Sequence, residues 1–366
     1  MKFIINREDL LLPLQQIVSV IEKRQTMAIL SNVLLDVREN NLVLTGTDTE
    51  IQLIATISLD PEKTGMITVP ARKFLDIIRL LPNKSEIKIE QKEDKIKVTS
   101  GRSRFSLSTL PAENYPEFAE AELENQFLIN AGKIKKALDK TVFCMANQDI
   151  RYYLNGLLLH ISNSKLKLVA SDGHRLSIYE DDIGEATGFE SRIILPRKCV
   201  IELNRLLDDE DAELHIQFST SNIKFIIKNL TFSAKLVDSK YPDFSKVFEQ
   251  AFFNPIHIQK HFLKDALTRV AILANEKFKG VTCNISQDLI QLNSHNPEHD
   301  EAEEELIIEY QGEPLSIAFN SQYLLDAVSN LDSELAVLTI AANSSSCFVE
   351  EPEQQLYKFI VMPMRL

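Results

Sequence analysis

What this chain of 366 residues lacks narrows its function before any motif is read. Its four cysteines, Cys144, Cys199, Cys283 and Cys347, are widely scattered and form no Cys-x-x-Cys pair. That argues against a zinc site or a disulfide framework and for a reducing cytoplasm. Glycine is scarce at 10 residues, and no P-loop, Gly-x-Gly-x-x-Gly or Gly-x-Ser-x-Gly elbow occurs. The chain therefore has no ready-made cradle for nucleotide phosphates and no hydrolase nucleophile elbow. No apolar run approaches the roughly 20 residues of a membrane span. The N-terminal Met1-Lys2-Phe3-Ile4-Ile5-Asn6-Arg7 reads as a strand, not a signal peptide, because no apolar h-region or cleavage site follows. Basic charge is also short, with 40 Lys+Arg against 53 Asp+Glu and a net charge of −13. Residues 253–366 hold 7 basic against 17 acidic side chains, so the last third carries most of the deficit.

What is there is a repeat. Leu42-Val43-Leu44-Thr45-Gly46-Thr47-Asp48 resembles Leu166-Lys167-Leu168-Val169-Ala170-Ser171-Asp172, and Leu289-Ile290-Gln291-Leu292-Asn293-Ser294-His295 follows the same pattern. Val69-Pro70-Ala71-Arg72-Lys73-Phe74 matches Leu195-Pro196-Arg197-Lys198-Cys199-Val200. Each copy opens with a strand (Lys2–Asn6, Gln126–Asn130, Pro255–Gln259). A helix follows with apolar residues at i, i+3, i+4 spacing, as in Leu10, Leu14, Ile17 and Val18. Strands, a second helix (71–81, 197–207, 320–331) and more strands complete it. The period is domain-sized, so the expected fold is α+β, with three small domains at 1–124, 125–252 and 253–366.

The six expected helices, with their flanks, carry 15 basic and 8 acidic residues, a positive subset of an acidic chain. If their outer faces are shared, they form a surface that attracts phosphates without reading bases. The plainer account is that Lys and Arg are good helix formers on solvated faces. The ends of the chain look complementary. Gly101-Arg102-Ser103-Arg104-Phe105-Ser106-Leu107 is a basic strand, and Glu298, Asp300, Glu301, Glu303, Glu304 and Glu305 form an acidic run that reads as a solvated loop.

The stretch Arg151-Tyr152-Tyr153-Leu154-Asn155-Gly156, with the later Ser171-Asp172-Gly173-His174-Arg175-Leu176, reads as two β-type runs around a polar turn, ending in a compact polar cluster. A catalytic reading would need Ser171, Asp172 and His174 to converge. Neighbouring strand residues do not normally do so, and no nucleophile, base and orienter can be assembled. His295 and His299 with their carboxylates could hold a metal, but a solvated loop is the simpler reading, and neither metal nor cofactor is expected.

Taken together, the repeat segments, the 100–111 strand, Gln148 through Gly156, Asp172 through Leu176, Ala271 through Lys277 and the terminal Val361-Met362-Pro363-Met364-Arg365-Leu366 resemble the bacterial sliding clamp family, the beta subunits of DNA polymerase III. They span the whole chain in order. The resemblance implies three clamp domains per chain, a head-to-tail homodimeric ring, and a non-enzymatic processivity factor. Such a ring encircles double-stranded and primed DNA without sequence preference and is opened by a clamp loader complex. It tethers the DNA polymerase III catalytic subunit and other proteins bearing the clamp-binding motif, with no membrane involved.

The resemblance also implies site residues. Arg24, Arg72 and Gln148 would contact the DNA backbone, and Tyr152 and Tyr153 would meet single-stranded template, where an aromatic face stacks on a base for about 1–3 kcal/mol. A client-peptide pocket would comprise Leu154, Ser171, Gly173, His174, Arg175, Leu176, Pro242, Lys246, Val247, Asn320, Tyr323, Ser346, Ile360, Val361, Met362, Pro363, Met364 and Arg365, apolar walls with a few polar anchors. Ser171 and Lys246 depart from the Thr and Arg common in the family, and Lys loses Arg's planar fork. The dimer interface would set Ile272 and Leu273 against Phe105 and Leu107 of the second copy, with Lys73, Arg102 and Arg104 meeting the acidic run from Glu298 through Glu301 to Glu304. A scaffold that binds clients without encircling DNA is the alternative, and the charge bias of the helices argues against it.

Overall fold

The structure, a computed structural model, describes residues 1–22, 27–119, 122–184, 187–249, 251–343 and 345–364. Among them are six α-helices: α1 (Arg7–Val20), α2 (Ala71–Leu80), α3 (Ala131–Thr141), α4 (Arg197–Leu206), α5 (Lys260–Val270) and α6 (Ser321–Ser329). The chain packs as two compact units, Met1–Lys135 with Lys198–Val237, and Lys136–Arg197 with Asp238–Leu366. The middle third of the sequence thus contributes to both.

The first unit is built on an eight-stranded antiparallel sheet. Its spatial order is Gly65–Pro70, Asn32–Val37, Asn41–Thr47, Ile51–Ser58, Leu230–Lys235, Asn222–Ile227, Glu213–Phe218 and Asn125–Asn130. The pairing of Ile51–Ser58 with Leu230–Lys235 joins strands nearly two hundred residues apart, in the register Leu53 opposite Phe232. Helix α1 covers this sheet because Leu10, Leu14, Ile17 and Val18 recur on one face and are buried. Gly46 lets it approach, since a Cβ there would lie 2.8 Å from the Ile17 Cγ2. Four more strands, Lys2–Asn6, Glu86–Lys92, Lys95–Ser100 and Ser103–Ser108, form a second sheet, with Ser103–Ser108 at its edge.

The second unit repeats the plan. Its eight strands run Glu190–Pro196, Gly156–Ser162, Lys165–Ser171, Arg175–Asp182, Tyr357–Val361, Cys347–Glu350, Leu335–Ile340 and Ile256–Gln259. A four-stranded sheet, Glu301–Ile307, Leu289–His295, Gly280–Ser286 and Leu315–Asn320, has Glu301–Ile307 at its edge. Helix α5 buries Leu263, Ala266, Leu267 and Val270, and α6 is capped by the Asn320 side chain, which accepts from the backbone N–H groups of Gln322 (2.9 Å) and Tyr323 (3.2 Å). Within this unit Lys140 is buried, its charge met by the Asp332 carboxylate at 2.5 Å and the Asn330 carbonyl at 2.6 Å. The four cysteines are free thiols, all buried.

Three expectations change. The acidic run does not form a loop throughout: Glu301–Ile307 is a strand, paired from Leu289 opposite Ile307 to His295 opposite Glu301. Its alternate residues Glu301, Glu303, Glu305 and Ile307 are exposed, so its charge sits on a sheet face. Tyr152 and Tyr153 are not on a strand, because Tyr152–Asn155 is a 3₁₀ turn and the strand begins at Gly156. The helices that follow the opening strands of the second and third copies stop before their apolar pattern does. Both helices pass into 3₁₀ turns, Val142–Cys144 and Ala271–Leu273, whose backbones leave α geometry before the apolar pattern ends.

Candidate functional site: a turn and an apolar face

The conspicuous polar cluster is a self-supporting turn. Asp172 Oδ1 accepts from the backbone N–H groups of His174 (2.9 Å) and Arg175 (3.0 Å), and Asp172 Oδ2 accepts from Arg175 Nε (3.0 Å). Ser171 Oγ donates to the Arg175 carbonyl (2.7 Å) and accepts from Gly173 N–H (3.0 Å). Gly173 has φ +88°, which an L side chain would strain, and an added Cβ would come within 2.9 Å of the Arg151 guanidinium. Ser171 and Asp172 are therefore committed to backbone geometry, which accounts for their types without invoking catalysis.

Arg175 is the hub. Its Nη1 meets the Asp326 carboxylate of α6 at 2.5 Å, and its guanidinium carbon lies 4.5 Å from the Tyr323 ring centroid and 5.7 Å from that of Phe143. Burial opposes its charge, but the neighbouring Cys144, Asp326 and Asp172 side chains together outweigh it and raise its pKa. Arg175 thereby ties the turn to α6. The C-terminal strand adds beside it, with Arg175 opposite Val361 and Leu176 opposite Ile360. Beyond the strand, Met362 N–H donates to the His174 carbonyl (2.8 Å) and Met364 N–H to the Ala318 carbonyl (2.7 Å). The chain end thus crosses from the turn to the strand before α6. This brings His174, Arg175, Asn320, Tyr323, Met362, Pro363 and Met364 together, with the His174 and Tyr323 rings nearly parallel, 6.3 Å apart.

Next to this lies an apolar face. Leu158, Val169, Leu176, Ile178, Phe348 and Ile360 form one cluster, against which Tyr241, Phe244 and Val247 pack. Leu154, Ser346 and Val361 are buried, whereas Pro242, Lys246 and Met362 are exposed. Arg365 lies outside the described residues. A groove of about 870 Å³ flanks Phe244 and Phe248 and reaches Ile178 and Tyr357. Reasoning from sequence did not select Leu158, Val169, Ile178, Phe244 or Phe348, nor Asp326. One signal was available: Tyr241-Pro242-Asp243-Phe244 repeats Tyr115-Pro116-Glu117-Phe118.

The remaining site residues fall elsewhere. In the second unit, Tyr152 is 76% exposed, while Tyr153 is half-buried with its ring edge-on to Tyr241, centroids 6.4 Å apart. Gln148 is exposed with φ +60°. Near it, Arg151 donates to Asp149 through Nε (3.0 Å) and Nη2 (2.8 Å), and these bonds pull the Asp149 pKa down to about 2. In the first unit, Arg72 is on the solvent side of α2, one guanidinium N–H donating to the Ile21 carbonyl at 3.1 Å. Arg24 lies outside the described residues.

Two sheet edges have opposite character. Ser103–Ser108, preceded by Arg102, exposes Arg104 and Phe105 and half-exposes Leu107; Lys73 is also exposed in this unit. In the other unit Glu301–Ile307 exposes Glu301 and Ile307, the latter 87% accessible, and the 3₁₀ turn after α5 exposes Ile272 at 76% with Leu273 half-buried. Glu298 is exposed, but Glu304 is engaged within its own unit. Arg269 of α5 donates to it through Nε and through Nη2, the latter at 2.8 Å. Ile307 was hidden from sequence reading by the surrounding glutamates.

Family models for the N-terminal, central and C-terminal domains of the DNA polymerase III beta subunit match residues 1–119, 128–243 and 245–365. The chain is 44% identical to the beta sliding clamp of Proteus mirabilis and 41% identical to that of Escherichia coli K12, with all of each chain covered. A crystal structure of the DNA polymerase sliding clamp from Pseudomonas aeruginosa with ligand superposes with a TM-score of 0.97 at 42% identity. Another from that organism, bound to griselimycin, superposes with 0.96, again over the full length of both chains.

Proposed function

The chain belongs to the beta sliding clamp family, the beta subunits of DNA polymerase III, and from that premise we propose how its residues carry the work of a DNA sliding clamp. Two chains, each with clamp domains at 1–124, 125–252 and 253–366, close head to tail into a ring around duplex DNA. The ring holds polymerases to the template as a processivity factor. The observation that carries this is the division of charge. Every helix buries one apolar face, and Arg72, Lys73, Arg79, Lys136, Arg205, Lys264 and Arg269 stand on exposed helix faces of a chain whose net charge is −13. Weak, interchangeable phosphate contacts hold DNA without a preferred register, which sliding requires. Arg24, Arg72 and Gln148 serve the backbone of double-stranded and primed DNA, and Tyr152, with its ring in solvent, stacks on unpaired template bases.

Ring closure uses the two sheet edges. An unpaired edge strand presents N–H and C=O groups that seek a partner. Here one edge is basic and the other acidic, which favours the head-to-tail pairing over either self-pairing. Phe105 and Leu107 cover Ile272, Leu273 and Ile307 of the second copy, and Lys73, Arg102 and Arg104 face Glu298 and Glu301. The Arg269-bound Glu304 contributes less. The clamp loader complex opens this joint. The DNA polymerase III catalytic subunit and other clients dock by a short, partly apolar peptide on the face between Leu176, Val247 and Met362. The four reduced thiols suit a cytoplasmic protein.

Topology provides the test. The protein is loaded onto nicked circular DNA by a clamp loader and ATP, freed of unbound protein by gel filtration, and the circle is then cut once. Retention on the circle and loss after linearisation is the expected result. Equal retention on linear DNA would show direct gripping and overturn encirclement.

A further inference from the structure

The polar turn of the second unit has a geometric twin in the first. Asp48 Oδ1 accepts from the N–H groups of Glu50 (2.9 Å) and Ile51 (2.8 Å), as Asp172 does from His174 and Arg175. Thr47 Oγ1 donates to the Ile51 carbonyl (2.7 Å) and accepts from Thr49 N–H (3.0 Å), as Ser171 does with Arg175 and Gly173. Thr49 takes φ +79° where Gly173 takes +88°. The repeat extends to the face beside the turn. Leu34, Thr45, Gln52 and Ile54 occupy the strand positions of Leu158, Val169, Leu176 and Ile178. The segment Tyr115-Pro116-Glu117-Phe118 lies over the first set as Tyr241-Pro242-Asp243-Phe244 does over the second.

The two faces differ in chemistry. In the second unit the positions are filled by a buried apolar cluster, beside the groove of about 870 Å³. In the first they line an open groove of about 1260 Å³, where Gln52 and Thr45 replace Leu and Val. Leu34, Ile54, Met66 and Phe118 supply apolar floor and wall. The rim is acidic: Glu93 and Asp94 from the hairpin turn after Glu86–Lys92, and Glu113 and Glu117 from the segment that covers the face. No Lys or Arg lines the groove, and none of the four forms an ion pair among the described residues. The acidic rim repels nucleic acid and attracts a cation.

We propose that this groove is a second peptide-docking site, which takes a Lys- and Arg-rich segment of a partner protein with a large apolar side chain set against Met66, Ile54 and Phe118. The cationic side chains meet Glu93, Asp94, Glu113 and Glu117, and Gln52 and Thr45 hydrogen-bond the peptide backbone. The two peptide faces then sort partners by charge. Charge complementarity sets the selectivity of this one, and its ion pairs, exposed at the rim, weaken as salt rises. The assignment takes its mode of binding from the client face proposed above, and the test separates the two.

Methionine supplies the reporters. Of six methionines, Met66 lies in the groove and Met362 and Met364 at the client face. Full-length protein with ¹³C-methyl methionine is titrated with acetyl-KRKLFKR-amide, with its acidic counterpart in which each Lys and Arg is Glu, and with a clamp-binding-motif peptide. Met66→Leu assigns the resonance. The cationic peptide is expected to move Met66 and leave Met362 and Met364 in place. Each exposed ion pair is worth a factor of roughly 2–5 in affinity, so Glu113→Lys with Glu117→Lys weakens binding roughly tenfold. Those two side chains are solvent-exposed, and the methyl spectrum reports whether the variant folds. Raised ionic strength weakens binding of the unaltered protein without any substitution. An unmoved Met66, an equal response to the acidic peptide, or affinity indifferent to charge reversal and to salt would overturn the proposal. So would a Met66 shift produced by protein concentration alone, which would make the groove a contact between copies. Failure of the motif peptide to move Met362 and Met364 would sink the client-face reading and leave this one standing.

Discussion

Ile272→Ala tests ring closure at a point where the structure supplies the magnitude. In the isolated chain Ile272 is 76% exposed on the turn after α5, so truncating it removes little that stabilises the monomer. If it is covered in the joint, three carbons lose their burial. At about 0.8 kcal/mol per buried carbon, scaled for the exposure available, that is roughly 1.8 kcal/mol per joint. A closed ring of two chains has two identical joints, which opening to free monomers breaks together. The total is about 3.6 kcal/mol, or a dimer dissociation constant weaker by roughly several hundredfold. Sedimentation velocity across a dilution series reads it directly, and thermal melting of dilute, monomeric protein should be unchanged. A dissociation constant within about threefold of the unaltered protein would refute the placement of this turn in the interface. A lowered monomer melting temperature would refute the premise that Ile272 stabilises only the assembly.

Two further outcomes follow from the site geometry. Removing residues 362–366 deletes the bonds from Met362 to His174 and from Met364 to Ala318. It should abolish binding of a client-motif peptide by fluorescence anisotropy while leaving a dimer, and retained affinity would sink the pocket. Arg151 holds the Asp149 pKa at about 2, so the Asp149–Arg151 contact contributes stability above the ordinary aspartate pKa. That contribution is lost only as the pH falls from about 4 towards 2. A carboxyl ¹³C titration should show the low midpoint, and Arg151→Gln should raise it; an unchanged midpoint would show that the guanidinium is not the cause.

Much of this was legible in the order of residues. The threefold repeat, the apolar stripes of α1 and α5 and the turn chemistry of Ser171, Asp172 and Gly173 are local patterns. Each is set by helical or two-residue periodicity or by a side chain reaching its own backbone. The basic character of the helices was likewise countable. Other features needed the folded chain. Glu301–Ile307 reads as a charged loop until its pairing with Leu289–His295 is seen, because four glutamates in five residues drown the alternation. Ile307 was lost with it. Tyr152 and Tyr153 part company, one in solvent and one against Tyr241, because a 3₁₀ turn places them, and its geometry answers to Asp149 and Asn155.

What the sequence by itself determined, then, is the inventory and its rhythm: which stretches become helix or strand, which faces are apolar and where charge accumulates. What only the tertiary structure decided is adjacency. Strand pairing between Ile51–Ser58 and Leu230–Lys235, and between Arg175–Asp182 and Tyr357–Val361, joins residues nearly two hundred apart. The second sets Ile360 beside Leu176 in the apolar cluster of its unit, while the corresponding face of the first unit stays half-exposed beneath an acidic rim. Such pairings are chosen by the burial of whole faces, a sum over many distant residues, and no local window contains that sum.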